Sequence, residues 1–286
     1  MRHVQRLRPR RSRVRRPSAP QVPETAPIGL TYRFFEPLIP KQNHPEPLVS
    51  VIIPAMNEAG KIAAVIAEAR AVHPATEVIV VANGCRDHTE MAAERMGAKV
   101  LAFADPLGND VGRSVGAQAA KGQILLFTDS DMVIPSSELK PFVHAVQSGV
   151  DVALNDYTGP TDRSLVHRVI LAKYTLNSML GRPDMRGASM TAVPHAISRR
   201  ALQTIGAEIL SVPPKAQAAA VCRELRVEAV HRVEVGRLNP GRRAAGGDPL
   251  EKLVLGDHLE ALAALVAERG VRGGFHDGER RRSMVR

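Results

Sequence analysis

Short apolar segments that alternate with helical patterns most constrain how this chain can fold. Four segments have the composition of buried strands: Leu48–Pro54, Val78–Val81, Lys99–Phe103 and Gln123–Thr128. Helical spacing begins at Ile62 and recurs over Thr89–Met96 and Gly112–Ala120. Because strands that are apolar along their length are buried on both faces, the alternation predicts an α/β domain. Its sheet should be mostly parallel, Rossmann-like and flanked by helices.

Beyond Asp131 the periodicity weakens, and no internal repeat is visible. The patterns there predict helices at Leu165–Leu180, Arg199–Ile205 and Leu250–Ala267, a short strand at Met190–Val193 and weak strand alternation over Val227–Val235. We interpret this half as an extension of the same sheet. The predicted organisation is a basic tail and Pro-rich linker at 1–47, a first half at 48–135, and a second half with a C-terminal helix at 136–286.

The net charge of +10 is concentrated at the start of the chain. Residues 1–16 contain eight arginines and no acidic residue, and the rest has 31 basic against 29 acidic residues. Such a segment is typical of a disordered tail. Three alternatives are open for this tail: it has no specific partner, it is attracted to an anionic membrane, or it binds nucleic acid. Since the chain has no Trp and three Tyr, a base-stacking surface is disfavoured and nucleic acid is the least favoured partner.

The cysteine content and the lack of long apolar runs bear on the cellular compartment of the protein. Cys85 and Cys222 are too few for a disulfide framework, and no apolar run approaches the ~18 residues that cross a bilayer. No apolar stretch follows the first basic residues, as a secretory signal requires. These features predict a cytoplasmic protein, placed at the inner face of the membrane if the tail binds lipid.

Polar residues follow three of the predicted strands. Asn57 and Glu58 follow the first strand, Asn83–Asp87 the second, and Asp129–Asp131 the fourth. Ligands of open parallel sheets bind beyond the carboxyl ends of the strands. The three clusters therefore predict one ligand site at that edge.

The Asp129-Ser130-Asp131 tripeptide is the main chemical signal in the sequence. On an extended chain residues i and i+2 point to the same side, so both carboxylates can face one point. Two carboxylates suit Mg²⁺ or Mn²⁺, although Asp and Ser are also favoured in plain turns. The position directly after the apolar strand favours the metal.

Residues 49–135 resemble the nucleotide-binding half of family-2 glycosyltransferases, which have the GT-A fold. The matching stretches are 49–58 (VSVIIPAMNE), 80–89 (VVANGCRDHT), 112–116 (GRSVG), 120–122 (AKG) and Asp129-Ser130-Asp131. The resemblance implies an enzyme that moves a sugar from a nucleoside-diphosphate donor to an acceptor with Mn²⁺ or Mg²⁺. It also makes 48–135 the donor-binding half and 136–286 the acceptor-side half. Small-molecule, lipid-linked and glycan acceptors all remain open.

The resemblance also implies roles for individual residues. It assigns donor binding to Pro54, Asn57, Glu58, Asn83, Asp87, Arg113 and Asp129. It assigns metal binding to Asp131 with Asp129, and His258 is a candidate third ligand. It assigns acceptor binding to the loop of Arg186, Gly187, Ala188 and Ser189. For Arg113 the alternative is an ordinary exposed helix arginine, and Asp257 with Glu260 could instead form a capping box for the last helix.

Two departures from the family pattern affect the chemistry. Ala82-Asn83 stands where many relatives have an acidic pair, which leaves the nucleotide open. The stretch 210–218, where inverting relatives have a Glu-Asp pair that supplies the general base, has no acid. His195, Glu208 and Asp257 are the candidate substitutes. The enzyme could also transfer with retention of configuration, or act on an acceptor that is already an anion.

Two further function classes compete with transfer. A catalytically degenerate binding module with a membrane-associating tail would explain the missing acid. A sugar nucleotidyltransferase would need a Gly-rich, basic loop after the first strand, and 55–59 (AMNEA) lacks that composition.

Overall fold

The computed structural model describes residues 42–161, 165–238 and 250–285, so nearly all of the predicted tail and linker lies outside the described residues. Seven strands of the described part form one sheet in the order β3-β2-β1-β4-β6-β5-β7. They are β1 Val49–Ala55, β2 Thr76–Asn83, β3 Lys99–Phe103, β4 Ile124–Phe127, β5 Val152–Asn155, β6 His195–Ser198 and β7 Val227–His231. Strands from both halves of the chain therefore build a single layer.

The helices cover both faces of this sheet. They are α1 Ile62–Arg70, α2 Thr89–Arg95, α3 Val111–Ala119, α4 Ser136–Gln147, α5 Arg168–Met179, α6 Arg199–Ile205, α7 Pro213–Cys222, α8 Val235–Leu238 and α9 Glu251–Arg269. Apolar residues of α1, α2 and α4 pack on the face that carries Val51 and Ile53. Those of α3, α6 and α7 pack on the opposite face with Ile52. A third cluster joins α5, α7 and α9.

Strand directions confirm the predicted α/β class with a mostly parallel sheet. Strand β1 pairs in parallel with β2 and β4, β2 with β3, and β5 with β7. Strand β6 runs antiparallel to both of its neighbours. The carboxyl ends of β1, β2 and β4 therefore meet at one edge. None of the helices in the described part of the chain has the length and apolar character that a bilayer-spanning segment needs.

Two glycines let α3 approach the sheet closely. A Cβ at Gly116 would overlap Ile52 Cγ2, and one at Gly112 would lie 3.1 Å from Pro54 Cβ. At Gly116 only a residue without a side chain permits this separation, and at Gly112 a side chain would make a tight contact with Pro54. Because Arg113 lies between the two glycines, the close approach sets its height above the sheet edge.

The predicted strand at Met190–Val193 is wrong, since the strand begins five residues later, at His195. Local hydrogen bonds occupy the donors that a strand would need. The Met190 N–H donates to Gln217 Oε1 at 2.9 Å, and the Thr191 N–H donates to Ser189 Oγ at 3.2 Å. The segment is therefore a series of turns that leads into β6.

Candidate active site

A cleft of about 430 Å³ opens at the carboxyl ends of β1, β2 and β4. Six residues predicted from the sequence line it: Pro54, Glu58, Asn83, Arg113, Asp129 and Asp131. The loop before α3, Thr191 and the start of α9 (Leu250, Val254) complete the walls. The structure therefore brings together side chains from the three strand ends.

Asn57 and Asp87 are not among the residues that line the cleft. Asn57 has a left-handed backbone (φ 58°), and its Oδ1 accepts the Arg86 N–H at 2.8 Å. Asp87 Oδ2 accepts the Ala59 N–H at 3.0 Å. Hydrogen bonds, first from the Thr89 hydroxyl, lower the pKa of Asp87. Both side chains therefore tie the loop after β1 to the loop after β2 and shape the rim of the cleft.

Asn83 lines the cleft, but its amide is engaged with the opposite wall. Its Oδ1 accepts the Leu107 N–H, and its Nδ2 donates to the Gly108 carbonyl at 3.0 Å. Asn83 therefore holds the loop that leads into α3. Its contribution to the cleft is the shape of this wall.

Arg113 is buried, with 5% of its surface exposed, which excludes the exposed-helix interpretation. Its guanidinium forms an ion pair with Asp110 Oδ1 at 3.1 Å and approaches Asp129 Oδ1 at 3.5 Å. It also donates to the Met190 carbonyl at 3.2 Å. One planar group thus fixes Asp129, the helix start and the 190 region together.

Asp110 is a member of this cluster that sequence reasoning missed. Burial raises the pKa of Asp110, the charge of Arg113 opposes the rise, and the charge of Asp129 adds to it. The sequence did contain a signal for Asp110. An Asp that stands directly before a helix and three residues before an Arg can form an ion pair with that Arg. Thr191 and Val254 reach the cleft through tertiary packing, and no local pattern marks them.

The two predicted metal ligands lie at different depths. The side chain of Asp129 is 36% exposed, whereas Asp131 is 8% exposed. Lys61 Nζ donates to the Asp131 backbone carbonyl at 2.7 Å, which ties α1 to this turn. Two hard oxygen groups at a cleft wall fit Mg²⁺ or Mn²⁺, with phosphate oxygens and waters as the remaining ligands.

His258 is 2% exposed, and its Nδ1 lies 2.7 Å from the Val254 carbonyl within α9. Among the described residues no three His, Cys, Asp or Glu side chains are grouped to hold a metal ion. The assignment of His258 as third ligand therefore stays a prediction.

The three candidate bases have different surroundings. Burial lowers the pKa of His195 to about 3, and its ring stacks on Phe127 at 4.9 Å. Glu208 lines a separate cavity with Lys215 and Glu260. Asp257 lies inside α9 rather than at its start, so it does not cap this helix. The charge of Asp110, which lines the cleft, acts on Asp257, and His195 pairs in register with Phe127, two residues before Asp129.

Asp257→Asn should stabilise the protein at neutral pH. Burial, then the charges of Asp110 and Glu260, raise the pKa of Asp257 from 3.8 to about 6. The folded state therefore binds this proton more tightly than the unfolded state, so stability falls as pH rises between these values. With allowance for solvent screening we expect a gain of about 1 kcal/mol at pH 7.5, or roughly 2–4 °C in Tm. Thermal unfolding of both proteins at several pH values measures it.

The gain should shrink as the pH falls and disappear below about pH 3, where the wild-type carboxyl is protonated in both the folded and the unfolded state. Glu268→Gln, at an exposed position of α9, is the control and should show no comparable dependence. Equal Tm values for Asp257→Asn and wild type at pH 7.5 would contradict the assigned environment.

The predicted acceptor loop 186–189 is held from below by two buried amides. Asn177 Nδ2 donates to the carbonyls of Arg186 at 2.8 Å and Ala188 at 2.9 Å. Gln217 Nε2 donates to Asn177 Oδ1 at 2.7 Å, and Gln217 Oε1 accepts the Met190 N–H. Since Arg113 holds the Met190 carbonyl, hydrogen bonds run without a break from Asp129 to Arg186.

The other predicted acceptor residues lie along this loop. Arg186 has a left-handed backbone (φ 51°), and its guanidinium pairs with Asp156 at 3.0 Å. A Cβ at Gly187 would lie 2.8 Å from Tyr174 Cε2, so the loop lies close against α5. Ala188 and Ser189 are buried. Thr191, two residues further, is the part of this segment that reaches the cleft wall.

Comparison with known proteins identifies relatives of this arrangement. The model of glycosyl transferase family 2 matches residues 50–202, just over half of the chain. The curated undecaprenyl-phosphate 4-deoxy-4-formamido-L-arabinose transferase of Pseudomonas paraeruginosa is 30% identical over 121 residues. That match covers 38% of this chain and 35% of the relative, so the chain spans about a third of that protein's length.

Solved structures share the fold at low sequence identity. Glucosyl-3-phosphoglycerate synthase of Mycobacterium tuberculosis, in complex with Mn²⁺, UDP and glucosyl-3-phosphoglycerate, has a TM-score of 0.54 and 24% identity over 81% of this chain and 82% of its own. The complex of that enzyme with Mn²⁺ and UDP-glucose has a TM-score of 0.55 and 22% identity, and covers 81% of each chain. The sheet order and the family match agree, and this chain belongs to family 2 of the glycosyltransferases, as an enzyme with the GT-A fold.

Proposed function

We propose that this enzyme transfers a sugar from a nucleoside-diphosphate donor to an acceptor, with Mn²⁺ or Mg²⁺ held by Asp129 and Asp131. One observation carries the proposal. Two carboxylates at the ends of parallel strands line a cleft, and a buried Arg113 is paired beside them. When bound, the ion supplies positive charge that stabilises the departing nucleoside diphosphate.

The residues of the chain have separate tasks in this proposal. Arg113 orients Asp129, and the pair Asp110–Arg113 keeps that guanidinium in place. Pro54 and Glu58 form the wall against which the nucleoside lies. Because the M. tuberculosis enzyme forms complexes with UDP and UDP-glucose, uridine is the first nucleoside to test in the donor.

The acceptor side of the proposal rests on the loop 186–189 and on the named relatives. One relative is named for undecaprenyl phosphate, and the structural neighbour is bound to phosphoglyceric acid in another complex. Both compounds carry a phosphate. An acceptor with a hydroxyl or anionic group is therefore proposed here. Contact of residues 1–16 with an anionic membrane, and a cytoplasmic location, remain predictions outside the described residues.

Thermal unfolding of the full chain with UDP, GDP, CDP and dTDP, each with and without Mn²⁺, tests the function. One diphosphate should raise Tm only when the metal is present. A ligand at about 100 times its Kd adds roughly 2.7 kcal/mol to the native state, or about 5–10 °C at this chain length. The matching nucleoside monophosphate is the control and should give a smaller shift, since it offers the ion one phosphate. Absence of a shift with all four diphosphates would overturn the proposal.

A further inference from the structure

The stretch 210–218 carries no acidic residue, but it does carry a buried amide, Gln217. Gln217 lies in α7, and none of its surface is exposed to solvent. A buried amide destabilises the native state unless its donor and acceptor groups are bonded. The partners of Gln217 therefore indicate what this stretch does in the enzyme.

Both ends of the Gln217 amide are bonded. Its Oε1 accepts the Met190 N–H at 2.9 Å. Its Nε2 donates to Asn177 Oδ1 at 2.7 Å, and the Ala188 carbonyl lies 3.4 Å from the same nitrogen. One side chain of α7 thus contacts the end of the acceptor loop and also the α5 amide that holds this loop.

The hydrogen bond from Gln217 fixes the orientation of the Asn177 amide. Because Nε2 of Gln217 engages Oδ1, the Nδ2 group of Asn177 is directed to the carbonyls of Arg186 and Ala188. A reversed Asn177 amide would place its oxygen against two carbonyl oxygens and its NH₂ against another donor. Gln217 therefore selects the one orientation in which Asn177 holds the acceptor loop.

Gln217 reaches the donor side of the cleft through Met190. The Met190 carbonyl accepts from Arg113 Nη1 at 3.2 Å, and the same guanidinium approaches Asp129. Met190 and Gln217 are 1% exposed or less, so water does not compete for these bonds. Met190 is therefore held between the cleft cluster on one side and α7 on the other.

We propose that Gln217 is a positioning residue for sugar transfer, which keeps the acceptor loop at a fixed place relative to Arg113 and Asp129. The inference rests on the proposed function and deepens it. In this enzyme the stretch 210–218 supplies a holder of the acceptor loop rather than a general base. When diphosphate and metal bind beside Asp129, the loop should become more ordered as well, because Met190 connects the two.

Hydrogen–deuterium exchange of the full chain, with and without UDP and Mn²⁺, tests the inference. Another of the four diphosphates replaces UDP if it is the one that stabilises the chain. In wild type, the ligand should slow exchange both in the cleft loop 106–113 and in 186–190, since one hydrogen bond corresponds to roughly 3–10-fold in local opening. In Gln217→Met, which keeps the volume but removes both bonds, the slowing at 186–190 should be lost while that at 106–113 persists.

The ligand-dependent difference separates positioning from a merely structural role. A structural glutamine would lower Tm and speed exchange without ligand, but its loss would leave the slowing by ligand unchanged. Asn177→Leu cuts the connection on the other side of Gln217, so it should also lose the slowing at 186–188, and it serves if Gln217→Met does not fold. Gln147→Met, at an exposed position of α4, is the control and should behave as wild type.

Three results would overturn the inference. The first is full slowing at 186–190 in Gln217→Met or, at 186–188, in Asn177→Leu. The second is a wild type in which the ligand protects 106–113 but not 186–190, which would leave the proposed function standing. The third is a wild type in which no diphosphate slows exchange anywhere, because then the proposed function fails and the inference fails with it.

Discussion

Asp131→Asn is expected to lose the metal-dependent stabilisation by the nucleoside diphosphate and roughly 10²–10³-fold in kcat/KM. Asn keeps the size of the side chain but removes the negative charge that a divalent ion requires. Asp131 is 8% exposed, so little water is present to replace the lost carboxylate. Thermal shifts with and without Mn²⁺, together with donor hydrolysis or transfer rates, measure both effects.

The fold of Asp131→Asn should stay intact, because the backbone carbonyl that accepts Lys61 Nζ remains. Asp105→Asn, an exposed aspartate in the loop before α3, is the matched control and should behave as wild type. If Asp131→Asn binds the diphosphate with unchanged affinity and metal dependence, the metal site lies elsewhere.

The second large effect is expected for Arg113→Met. This change leaves Asp110 buried without its ion-pair partner and frees the Met190 carbonyl. Removal of one member of a buried ion pair typically costs about 3–5 kcal/mol, which corresponds to roughly 6–20 °C in Tm for a chain of this size. Transfer should fall as well, because Asp129 loses the group that orients it. Chemical denaturation and transfer rates give the two quantities.

A double substitution separates the two effects. Asp110→Asn in the Arg113→Met background removes the stranded charge, so it should restore part of the stability. It should not restore transfer, since Asp129 still lacks its guanidinium. A loss below about 1 kcal/mol for Arg113→Met alone would show that the ion pair with Asp110 does not form.

The sequence was sufficient for the donor half of the fold because that half follows simple periodic rules. Strands β1, β2 and β4 each contain a buried apolar segment, and the edge at which Asp129 and Asp131 lie follows from parallel pairing alone. The expectation of a buried strand is wrong for β3, which lies at the end of the sheet and has no buried residue. The second half lacks this regularity. Helix α4 contains Pro141, which interrupts a helical pattern.

Site residues were predictable where strand ends place them and unpredictable where loops orient them. Asn57 and Asp87 belong to the motifs that follow the strands, but their side chains form hydrogen bonds with neighbouring loops, and no sequence pattern specifies this orientation. Val254 reaches the cleft through the packing of α9. Such contacts depend on the whole second half, and the sequence shows no local trace of them.

The hydrogen bonds on either side of Met190 bear on recombination between relatives. Its carbonyl is held by Arg113, from the segment that carries the family motifs, and its N–H by Gln217, which lies outside the matched region. A chimera joined near residue 135 would keep one anchor of this peptide and replace the other. The motif boundary is therefore a poor place for a crossover, and exchangeable pieces of this enzyme have to carry both anchors together.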